Sequence, residues 1–509
     1  MKIGQHQTLI LGAPGCGKTT RLLNIVEQKL ASGIRPERIA YMSFTTKAVN
    51  EAINRAEKKF GFTKKDLPFF RTVHSFCFRQ TGASRSSVMG AAHYQDLARI
   101  LGISLNGKLD DEGTGLPVGG TVGDQMLFVD NLARSTGDTL KKVYDSLEYP
   151  DFSWQQLKQF SRALEEYKLD TGLMDFTDML REYLVNGKPA SVDVAIIDEA
   201  QDLSKVQWEV IKRAFNGCLE VYIAGDDDQA IYKWSGADVD SFLSLEGERE
   251  VLAKSWRLPS SIHKLSQKII KRVGKRFDKA FASKEEKGDI SYYLNPAMIE
   301  DAEGTWLYLA RNAYQLSSIK RTLFEQGITF TTSQGSSVKA KEHKAIVYWE
   351  RLRAKKPQLG NDVKQFLEFL EVGVGIKRGY KDGKGLLDDV EYTMEDLKKD
   401  HGILIDVAWH DALTGIPLEQ REYYLMVLRQ GGPKALSQPP RHHVSTIHGV
   451  KGGEADHVVL MTDLAKKSYT EYSKNPDDET RVFYVGITRA KKHLHIVLPQ
   501  TNQYFAEYK

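Results

Sequence analysis

A run of eight residues near the start of the chain has the composition of a phosphate-binding loop. The pattern G-x-x-x-x-G-K-[ST] is matched at every fixed position by Gly12-Ala13-Pro14-Gly15-Cys16-Gly17-Lys18-Thr19. Glycines let backbone N–H groups point at a triphosphate, Lys18 can reach the β- and γ-phosphates, and the Thr19 hydroxyl can ligate Mg²⁺. An ordinary glycine turn is the alternative, but it leaves the strand-like run before the loop and the helix-like run after it unexplained. The loop therefore predicts a nucleoside triphosphate as ligand.

Two adjacent acids, Asp198 and Glu199, end an apolar run that begins at Val194. An acid pair at the carboxyl end of a buried strand suits Mg²⁺ and water chemistry beside a phosphate loop. Asp198 is predicted to hold the metal, through water, and Glu199 to accept a proton from the attacking water. Acidic residues that follow a strand can also cap the next helix. The metal-binding interpretation of this pair therefore depends on the phosphate loop elsewhere in the sequence.

Three further acids, Asp226 to Asp228, follow another apolar run and precede Gln229. Adjacent carboxylates repel one another unless cations or hydrogen-bond donors lie nearby. The Gln229 amide can sense a γ-phosphate, although a plain acidic loop fits the same residues equally well. Near the other end of the chain, Arg489 lies on a predicted helix and can neutralise charge that develops on the γ-phosphate. A surface salt bridge is the ordinary alternative for a lone arginine.

Parallel strands are needed to bring these segments to one edge of a sheet. The apolar pattern predicts an α/β fold with two parallel-sheet cores, the second starting near Glu250, and each core carries a mainly helical insertion. The predicted strands are Thr8–Leu11, Arg38–Ser43, Val192–Ile197, Glu220–Ala224, Thr305–Leu309, Ile328–Thr331, His443–Thr446, Val458–Met461 and His495–Leu498. The predicted helices are Lys18–Leu30, Thr46–Phe60, Trp154–Leu169 and Tyr314–Gln326.

Composition excludes several classes of protein. The 509 residues, of which 41% are hydrophobic and 27% charged, fit a soluble globular protein of about three or four domains. No apolar run approaches the ~18 residues of a membrane span, and the first residues lack the apolar core of a secretion signal. Three scattered cysteines are too few for a disulfide framework or a zinc site, so we expect a cytoplasmic protein.

The net charge of +4 does not by itself indicate a nucleic-acid-binding protein. Local charge is more suggestive, because nine basic residues lie close together: Lys264, Lys268, Lys271, Arg272, Lys275, Arg276, Lys279, Lys284 and Lys287. Such a basic cluster can follow a phosphate backbone. From charge alone, a solvated helix face is the favoured interpretation.

In their order along the chain, these motifs resemble those of the UvrD/Rep/PcrA type of superfamily 1 helicase. Besides the phosphate loop, the matching strings are Phe44-Thr45-Thr46-Lys47-Ala48 (motif Ia), Thr72-Val73-His74-Ser75-Phe76 (Ib), Asp175-Phe176-Thr177-Asp178, Asp198-Glu199-Ala200-Gln201-Asp202 (II), residues 225–237 (III), Ser255-Trp256-Arg257 (IV), residues 444–454 (V) and Val485-Gly486-Ile487-Thr488-Arg489-Ala490 (VI). Eight or so such strings in the family's order are not an accident of composition.

The resemblance implies ATP and Mg²⁺ as cofactors and a role for each matched residue. The implied catalytic residues are Lys18, Glu199, Gln229, Arg257 and Arg489, with both arginines reaching the γ-phosphate from the second core and Gln229 from the first. The implied metal ligands are Thr19 and Asp198. Trp256 would stack on adenine and Glu454 would contact the sugar. The other implied nucleotide-binding residues are Gly12, Ala13, Gly15, Cys16, Gly17, Lys18, Thr19, Thr20, Arg257 and Arg489.

Single-stranded DNA, together with single-strand/duplex junctions, is the implied partner. Phe44 and Trp234 would stack on bases, each contact being worth ~1–3 kcal/mol, with core packing as the alternative for each aromatic residue. The other implied DNA-binding residues are Thr45, Thr72, His74, Tyr232, Thr446 and His448. The resemblance further implies a monomer on DNA, no membrane, and a bacterial or phage-infected cell as the setting.

The implied domains are a RecA-like core 1A (residues 1–78 and 172–248), an insertion 1B (79–171), a core 2A (249–332 and 439–509) and a reduced insertion 2B (333–438). The family's glutamine segment upstream of the phosphate loop, which recognises adenine, has no clear equivalent here, and Gln5 or Gln7 could substitute for it.

The predicted function is an ATP-dependent DNA helicase that moves 3′ to 5′ on single-stranded DNA and unwinds duplex DNA. One alternative is a DNA-stimulated ATPase that displaces proteins with little unwinding, which the shortened second insertion favours. A non-catalytic DNA-binding sensor is a second alternative, and the intact catalytic set argues against it. A 5′-to-3′ relative is a third, disfavoured by the string at residues 226–234.

Overall fold

The computed structural model describes residues 1–108, 119–147 and 150–508. Parts of the predicted first insertion, residues 109–118 and 148–149, lie outside the described residues, as does Lys509. The chain divides into two compact units. The first contains Met1–Gly288 and Thr470–Thr488, and the second contains Asp289–Tyr469 and Arg489–Lys509.

The first unit is built on a sheet of six parallel strands, here numbered in chain order. Across the sheet they are β3 (Phe70–Thr72), β2 (Ile39–Ser43), β4 (Val194–Asp198), β5 (Glu220–Gly225), β1 (His6–Leu11) and β6 (Glu248–Val251). Strands β2 and β4 are buried along their whole length, which is why they are continuous apolar runs in the sequence. All four strands predicted in this region are present. Strand β6 pairs with β1, so the first sheet continues past residue 248.

The second unit is built on a sheet of seven strands. Across the sheet they are β10 (Gly335–Ser336), β9 (Phe330–Thr332), β13 (His442–Thr446), β8 (Trp306–Ala310), β14 (Ala455–Met461), β15 (Ala490–Val497) and β7 (Asp289–Tyr293). Only the edge pair of β9 and β10 is antiparallel among these described strands. Two parallel-dominated sheets confirm the predicted fold class.

Helices cover the sheets and form both insertions. In the first unit they are α1 (Lys18–Ala31), α2 (Thr46–Phe60), α3 (Val73–Gln80), α4 (Ala91–Leu101), α5 (Val122–Thr136), α6 (Leu140–Asp145), α7 (Trp154–Thr171), α8 (Phe176–Asn186), α9 (Lys205–Phe215), α10 (Val239–Leu243), α11 (Ser260–Ile270) and α19 (Pro476–Ile487). The others are α12 (Leu316–Glu325), α13 (Ala340–Arg353), α14 (Gly360–Leu367), α15 (Met394–Asp400), α16 (Trp409–Ala412), α17 (Leu418–Gly431) and α18 (Lys466–Lys474). A short pair of strands, β11 (Gln358–Leu359) and β12 (Glu391–Tyr392), lies in the second insertion. Among the described helices, none is both long and apolar enough to cross a membrane.

Each insertion has a hydrophobic core of its own. Leu127, Leu157 and Phe160 are buried in the first, and Trp349 and Phe366 are buried in the second, with their rings in edge-to-face contact at 5.4 Å. Burial of such apolar surface is the main favourable term in folding, so each insertion contributes to its own stability. The boundaries of the four predicted domains stay a prediction.

A buried ion network joins the first insertion to the first core. Asp175 caps the amino end of α8 by accepting from the backbone N–H of Asp178, and it also binds the Arg134 guanidinium of α5 at 2.7 Å. Lys168 of α7 adds a contact at 3.1 Å. Burial would raise the pKa of Asp175, yet the two cations hold it below its usual value. The Asp175-Phe176-Thr177-Asp178 string therefore acts here as a structural clamp.

Four histidines and one tryptophan form a stacked group on the second sheet. His493, His457, Trp306 and His442 lie in one row across β15, β14, β8 and β13. The His457 ring stacks on Trp306 at 4.1 Å and on His493 at 4.6 Å. His457 Nε2 must donate to the Glu303 carbonyl at 3.1 Å. When neutral, its Nδ1 then accepts from His495 Nε2 at 3.2 Å.

The stability of the second unit is expected to rise with pH because of this group. Burial, then the neighbouring His457 and His493, lowers the pKa of His495 from 6.5 to about 4. Between pH 4 and pH 6.5, His495 is protonated in the unfolded chain and neutral in the folded chain. The free energy of unfolding therefore increases with pH across this window. The gain is about 3 kcal/mol, at 1.36 kcal/mol per pKa unit.

Urea unfolding of the wild type and of His495→Gln between pH 4.5 and 7 checks this expectation. The variant should lose most of the pH dependence, while His6→Gln, which changes an exposed histidine, should keep it. Equal pH dependence in the wild type and in His495→Gln would show that His495 is not the titrating group.

Candidate nucleotide and nucleic-acid sites

The carboxyl ends of the first sheet's strands lie side by side. Ser43 is in register with Asp198 and with Thr72, and Leu11 is in register with Gly225 and Val251. The segment that follows each of these strands carries one of the sequence motifs. The parallel topology therefore gathers along one edge motifs that are separated by up to about 240 residues in the chain.

The phosphate loop connects β1 to α1 and has the backbone that its glycines allow. Gly15 and Gly17 have φ of 74° and 80°, in the left-handed region. A Cβ on Gly15 would lie 2.3 Å from the Arg257 side chain, so only glycine fits there. The buried Lys18 donates from Nζ to the Gly12 carbonyl at 2.7 Å. Thr20, also predicted to bind nucleotide, is exposed on the first turn of α1.

The two predicted metal ligands are in direct contact. Thr19 Oγ1 donates to Asp198 Oδ2 at 3.1 Å, and the Tyr41 hydroxyl donates to the same oxygen at 2.8 Å. Burial, followed by the charge of Glu199, raises the pKa of Asp198 to about 6. A divalent cation would reverse this effect, since it stabilises the ionised carboxylate. The hydroxyl, the buried carboxylate and its raised pKa therefore fit Mg²⁺.

Glu199 has an unusual backbone conformation for a residue other than glycine. Its φ of 52° and ψ of 40° are left-handed, which costs of order 1–3 kcal/mol at a non-glycine residue. Gln201 Nε2 donates to Glu199 Oε2 at 2.6 Å, and Gln201 Oε1 accepts from the Asp226 backbone N–H at 2.9 Å. Gln201 thus ties the predicted general base to the acidic turn after β5. No role was predicted for Gln201 from the sequence, where its place in motif II is the only signal.

The three acids after β5 are buried and neutralised by two residues of the basic cluster. Lys279 Nζ lies 2.7 Å from Asp226 and 3.1 Å from Asp228, and it also binds Asp227. Arg276 pairs with both oxygens of Asp228, one of them at 2.8 Å. Burial alone would lower the pKa of Lys279, but the three carboxylates hold it above its usual value. The expectation that cations compensate the acids is correct, and for these two residues the favoured solvated-face interpretation is wrong.

Motif IV lies against the phosphate loop. Ser255 Oγ donates to the Pro14 carbonyl at 2.7 Å, and the Trp256 backbone N–H donates to the Gly15 carbonyl at 2.9 Å. Arg257 thus lies in the first compact unit, whereas the resemblance implied that it acts from the second core. The Trp256 ring is 70% exposed, and the Lys254 ammonium lies 4.7 Å from its centroid.

Arg489 and Glu454 are neighbours in the second unit. Arg489 is 1% exposed and donates to the Gly453 carbonyl at 3.2 Å. Arg489 was predicted to lie on a helix, and this is wrong. It lies two residues after Ile487, where α19 ends. The Thr488 hydroxyl bonds the Tyr484 and Val485 carbonyls, which ends the helix before Ala490 begins β15.

The predicted DNA-binding residues of the first unit fall into two groups. Thr45 and Thr72 are helix caps, because their hydroxyls accept from backbone N–H groups at the starts of α2 and α3, each at 3.3 Å. The aromatic residues form ring pairs: Phe44 lies 5.9 Å from Tyr232, and Trp234 lies 5.9 Å from Phe128. The Trp234 ring is 52% exposed.

A cavity of about 40 Å³ lies beside these rings and is lined by both Phe44 and His74. His74 is buried, with its ring 5.7 Å from Phe176. In the second unit, Thr446 ends β13 and its hydroxyl accepts from the Gly449 N–H at 3.1 Å, next to His448. Thr446 thus lies at the carboxyl end of the parallel strands of the second sheet. Glu454 and Arg489 precede β14 and β15 and so lie at the amino end of these strands.

The side chain of Gln7, one of the two candidates for recognising adenine, is hydrogen-bonded to backbone groups. Its side-chain amide donates to the Met1 carbonyl at 3.2 Å and to the Glu246 carbonyl, and it accepts from the Ile3 N–H at 2.8 Å. These three backbone contacts anchor the first residues of the chain. Gln5 is exposed, and its role stays a prediction.

Comparison with known proteins gives consistent matches over both halves of the chain. Residues 1–250 match the family described as the UvrD/REP helicase N-terminal domain, and residues 425–501 match the UvrD-like helicase C-terminal domain. The chain is 25% identical over 351 residues to the ATP-dependent DNA helicase PcrA of Bacillus subtilis (strain 168), covering 65% of this chain and 46% of that relative.

Two staphylococcal proteins of the same name are similarly related. A PcrA of Staphylococcus epidermidis is 23% identical over 383 residues, which is 72% of this chain and 51% of the relative. A PcrA of Staphylococcus aureus is 22% identical over 331 residues, covering 60% and 43%. The chain spans about half the length of the curated relatives it matches. With both of the family's domains matched, the chain belongs to the UvrD/Rep/PcrA type of superfamily 1 helicases.

Proposed function

We propose that the chain is an ATP-dependent DNA helicase that moves 3′ to 5′ on single-stranded DNA and unwinds duplex DNA. One observation carries the proposal. Gln201 bonds both the predicted general base, Glu199, and the backbone N–H of Asp226, where the turn that leads to Gln229 begins. The aromatic residues Tyr232 and Trp234 follow in the same segment. The residues proposed for hydrolysis and those proposed for base stacking are thus linked through the segment that begins at Asp226.

ATP would be held by the loop from Gly12 to Gly17. The backbone N–H groups of the loop suit the phosphate oxygens, and Lys18 exchanges its bond with the Gly12 carbonyl for the β- and γ-phosphates. Thr19 and Asp198 would hold Mg²⁺, which supplies charge neutralisation to the phosphates. Trp256, exposed beside Gly15, would stack on adenine.

Hydrolysis needs a base and groups that stabilise negative charge. Glu199 would take the proton from a water that attacks the γ-phosphorus, and the bond to the ADP oxygen breaks as the new P–O bond forms. Gln229, Arg257 and Arg489 would contact the γ-phosphate, and Glu454 the sugar. Gln229 and Arg489 are buried, and such groups act more strongly on developing charge than groups in water do.

Single-stranded DNA would lie across the aromatic ring pairs of the first unit. Phe44 and Trp234 would stack on bases without regard to sequence, at ~1–3 kcal/mol per base. Thr45 and Thr72 stand at the starts of α2 and α3, where the N–H groups of the first turn and the helix dipole favour phosphates. Contacts from Tyr232, His74, Thr446 and His448 complete the proposed set.

Partial duplexes with opposite single-stranded tails test the polarity. Opening of 3′-tailed substrates in the presence of ATP and Mg²⁺, with 5′-tailed substrates left intact, is the expected result. Selective opening of 5′-tailed duplexes would refute the direction. If ATP hydrolysis responds to single strands and bound streptavidin is displaced, but no duplex opens, the chain is a protein-displacing translocase instead.

A further inference from the structure

Helix α19 lies against the acidic turn after β5, within the first compact unit. Arg481 on this helix donates to the Asp227 carbonyl and to the Lys275 carbonyl, both at 2.9 Å. Tyr484 follows three residues later and so projects from the same side of the helix. Its ring packs against Ile270 and Val273. The helix therefore holds Tyr484 firmly beside the turn.

The Tyr484 hydroxyl is a buried hydrogen-bond donor that has no acceptor among the described residues. The residue is fully buried, and its oxygen has no hydrogen-bond partner among the described residues. Burial, then the nearby carboxylates of Asp226 and Asp228, raises its pKa well above the usual value, so the hydroxyl keeps its proton. A buried polar group that lacks a partner is costly, and native proteins contain few of them.

Asp226 is the neighbouring acceptor whose hydrogen bonds must change during ATP sensing. Its Oδ1 is bound by Lys279 Nζ at 2.7 Å and its Oδ2 by Gln229 Nε2 at 2.7 Å. Gln229 is the residue that would contact the γ-phosphate under the proposed function. When its amide turns to the phosphate, Oδ2 of a fully buried carboxylate loses its donor.

We propose that Tyr484 is a positioning residue whose hydroxyl donates to Asp226 Oδ2 when Gln229 turns to the γ-phosphate. This inference rests on the proposed function, because it requires ATP in the phosphate loop. The exchange keeps the buried carboxylate satisfied in both states, so the movement of Gln229 costs less. Tyr484 then acts on the nucleotide through Asp226 and Gln229, without touching it.

Removing the hydroxyl gives a distinctive pattern of effects. Tyr484→Phe should not lower the melting temperature of the nucleotide-free chain and can raise it, because it removes a buried hydroxyl that has no partner there. Affinity for adenosine 5′-(β,γ-imido)triphosphate with Mg²⁺, measured by calorimetry, should fall about tenfold, as for the loss of one hydrogen bond to a carboxylate. Tyr183→Phe is the matched control. Its hydroxyl donates to the Lys188 carbonyl at 2.6 Å, so this variant should melt earlier and bind the analogue normally.

A double-mutant cycle identifies the acceptor. In Gln229→Ala, Asp226 lacks its amide donor at all times, so Tyr484 should already bond to it without nucleotide. Adding Tyr484→Phe to this background should lower the melting temperature, although the same change does not do so in the wild type. Equal effects in both backgrounds, or unchanged analogue affinity in Tyr484→Phe, would overturn the inference. A wild-type chain that fails to bind the analogue would overturn the proposed function as well.

Discussion

Replacing Glu199 by glutamine is expected to lower the ATP turnover number by about 10²- to 10⁴-fold while ATP still binds. The amide keeps the size of the side chain but cannot accept the proton of the attacking water. The left-handed backbone at residue 199 and the hydrogen bond from Gln201 can hold the side chain in the same position in glutamate and in glutamine. The loss should therefore appear in turnover, with little change in the affinity for ATP.

Two further variants make this result specific. Lys18→Ala should abolish both binding and hydrolysis, because it removes the cation that the loop holds at the phosphates. Glu209→Gln alters an exposed glutamate on α9 and should hydrolyse ATP at the normal rate. Near-normal turnover in Glu199→Gln would exclude Glu199 as the general base. Stopped-flow measurement of phosphate release, paired with calorimetry of ATP binding, separates the two quantities.

Replacing Lys279 by methionine is expected to lower the free energy of unfolding by about 3–5 kcal/mol, as when one partner of a buried ion pair is removed. Lys279 is 3% exposed and contacts three carboxylates that are themselves buried. Methionine keeps most of the volume but leaves the acids to repel one another. Raising the proton concentration should partly restore stability, because protonation of the acids removes that repulsion.

Urea unfolding followed by circular dichroism measures this loss. Lys275→Met is the matched control, since Lys275 pairs with Asp240 at the surface, where both side chains are mostly exposed. Surface pairs contribute about 0–1 kcal/mol, so the control should unfold near the wild-type midpoint. A loss in Lys279→Met no larger than that of Lys275→Met would show that the acids do not depend on this lysine.

The local sequence pattern was sufficient to predict the helices and strands that position the candidate nucleotide site. The helix predicted from Thr46 to Phe60 has those bounds in the structure, because Thr45 caps it at one end and Gly61 ends it at the other. The strand before Asp198 is apolar along its length because both faces of a parallel strand are buried. The order of the motifs and their positions at strand ends were enough to predict that Thr19 and Asp198 lie at one site, and the two side chains are in contact.

Contacts between residues distant in the chain could not be predicted in the same way. Lys279 and Asp226 are 53 positions apart, and nothing local shows that Lys279 turns inward while Lys275 stays exposed. Arg489 was misplaced because neither proline nor glycine lies between Ile487, where α19 ends, and Ala490, where β15 begins. The contact between Gln7 and the Glu246 carbonyl, 239 positions away, was equally beyond local pattern.

The rate of ATP hydrolysis with and without single-stranded DNA tests the central claim most directly. The proposed function predicts that an oligonucleotide of mixed sequence raises the steady-state rate many-fold at low ionic strength, and that added salt weakens the effect by displacing the strand. Glu199→Gln should show no such rise. An unchanged rate in the wild type, under conditions where ATP binds and the strand is in excess, would contradict the account.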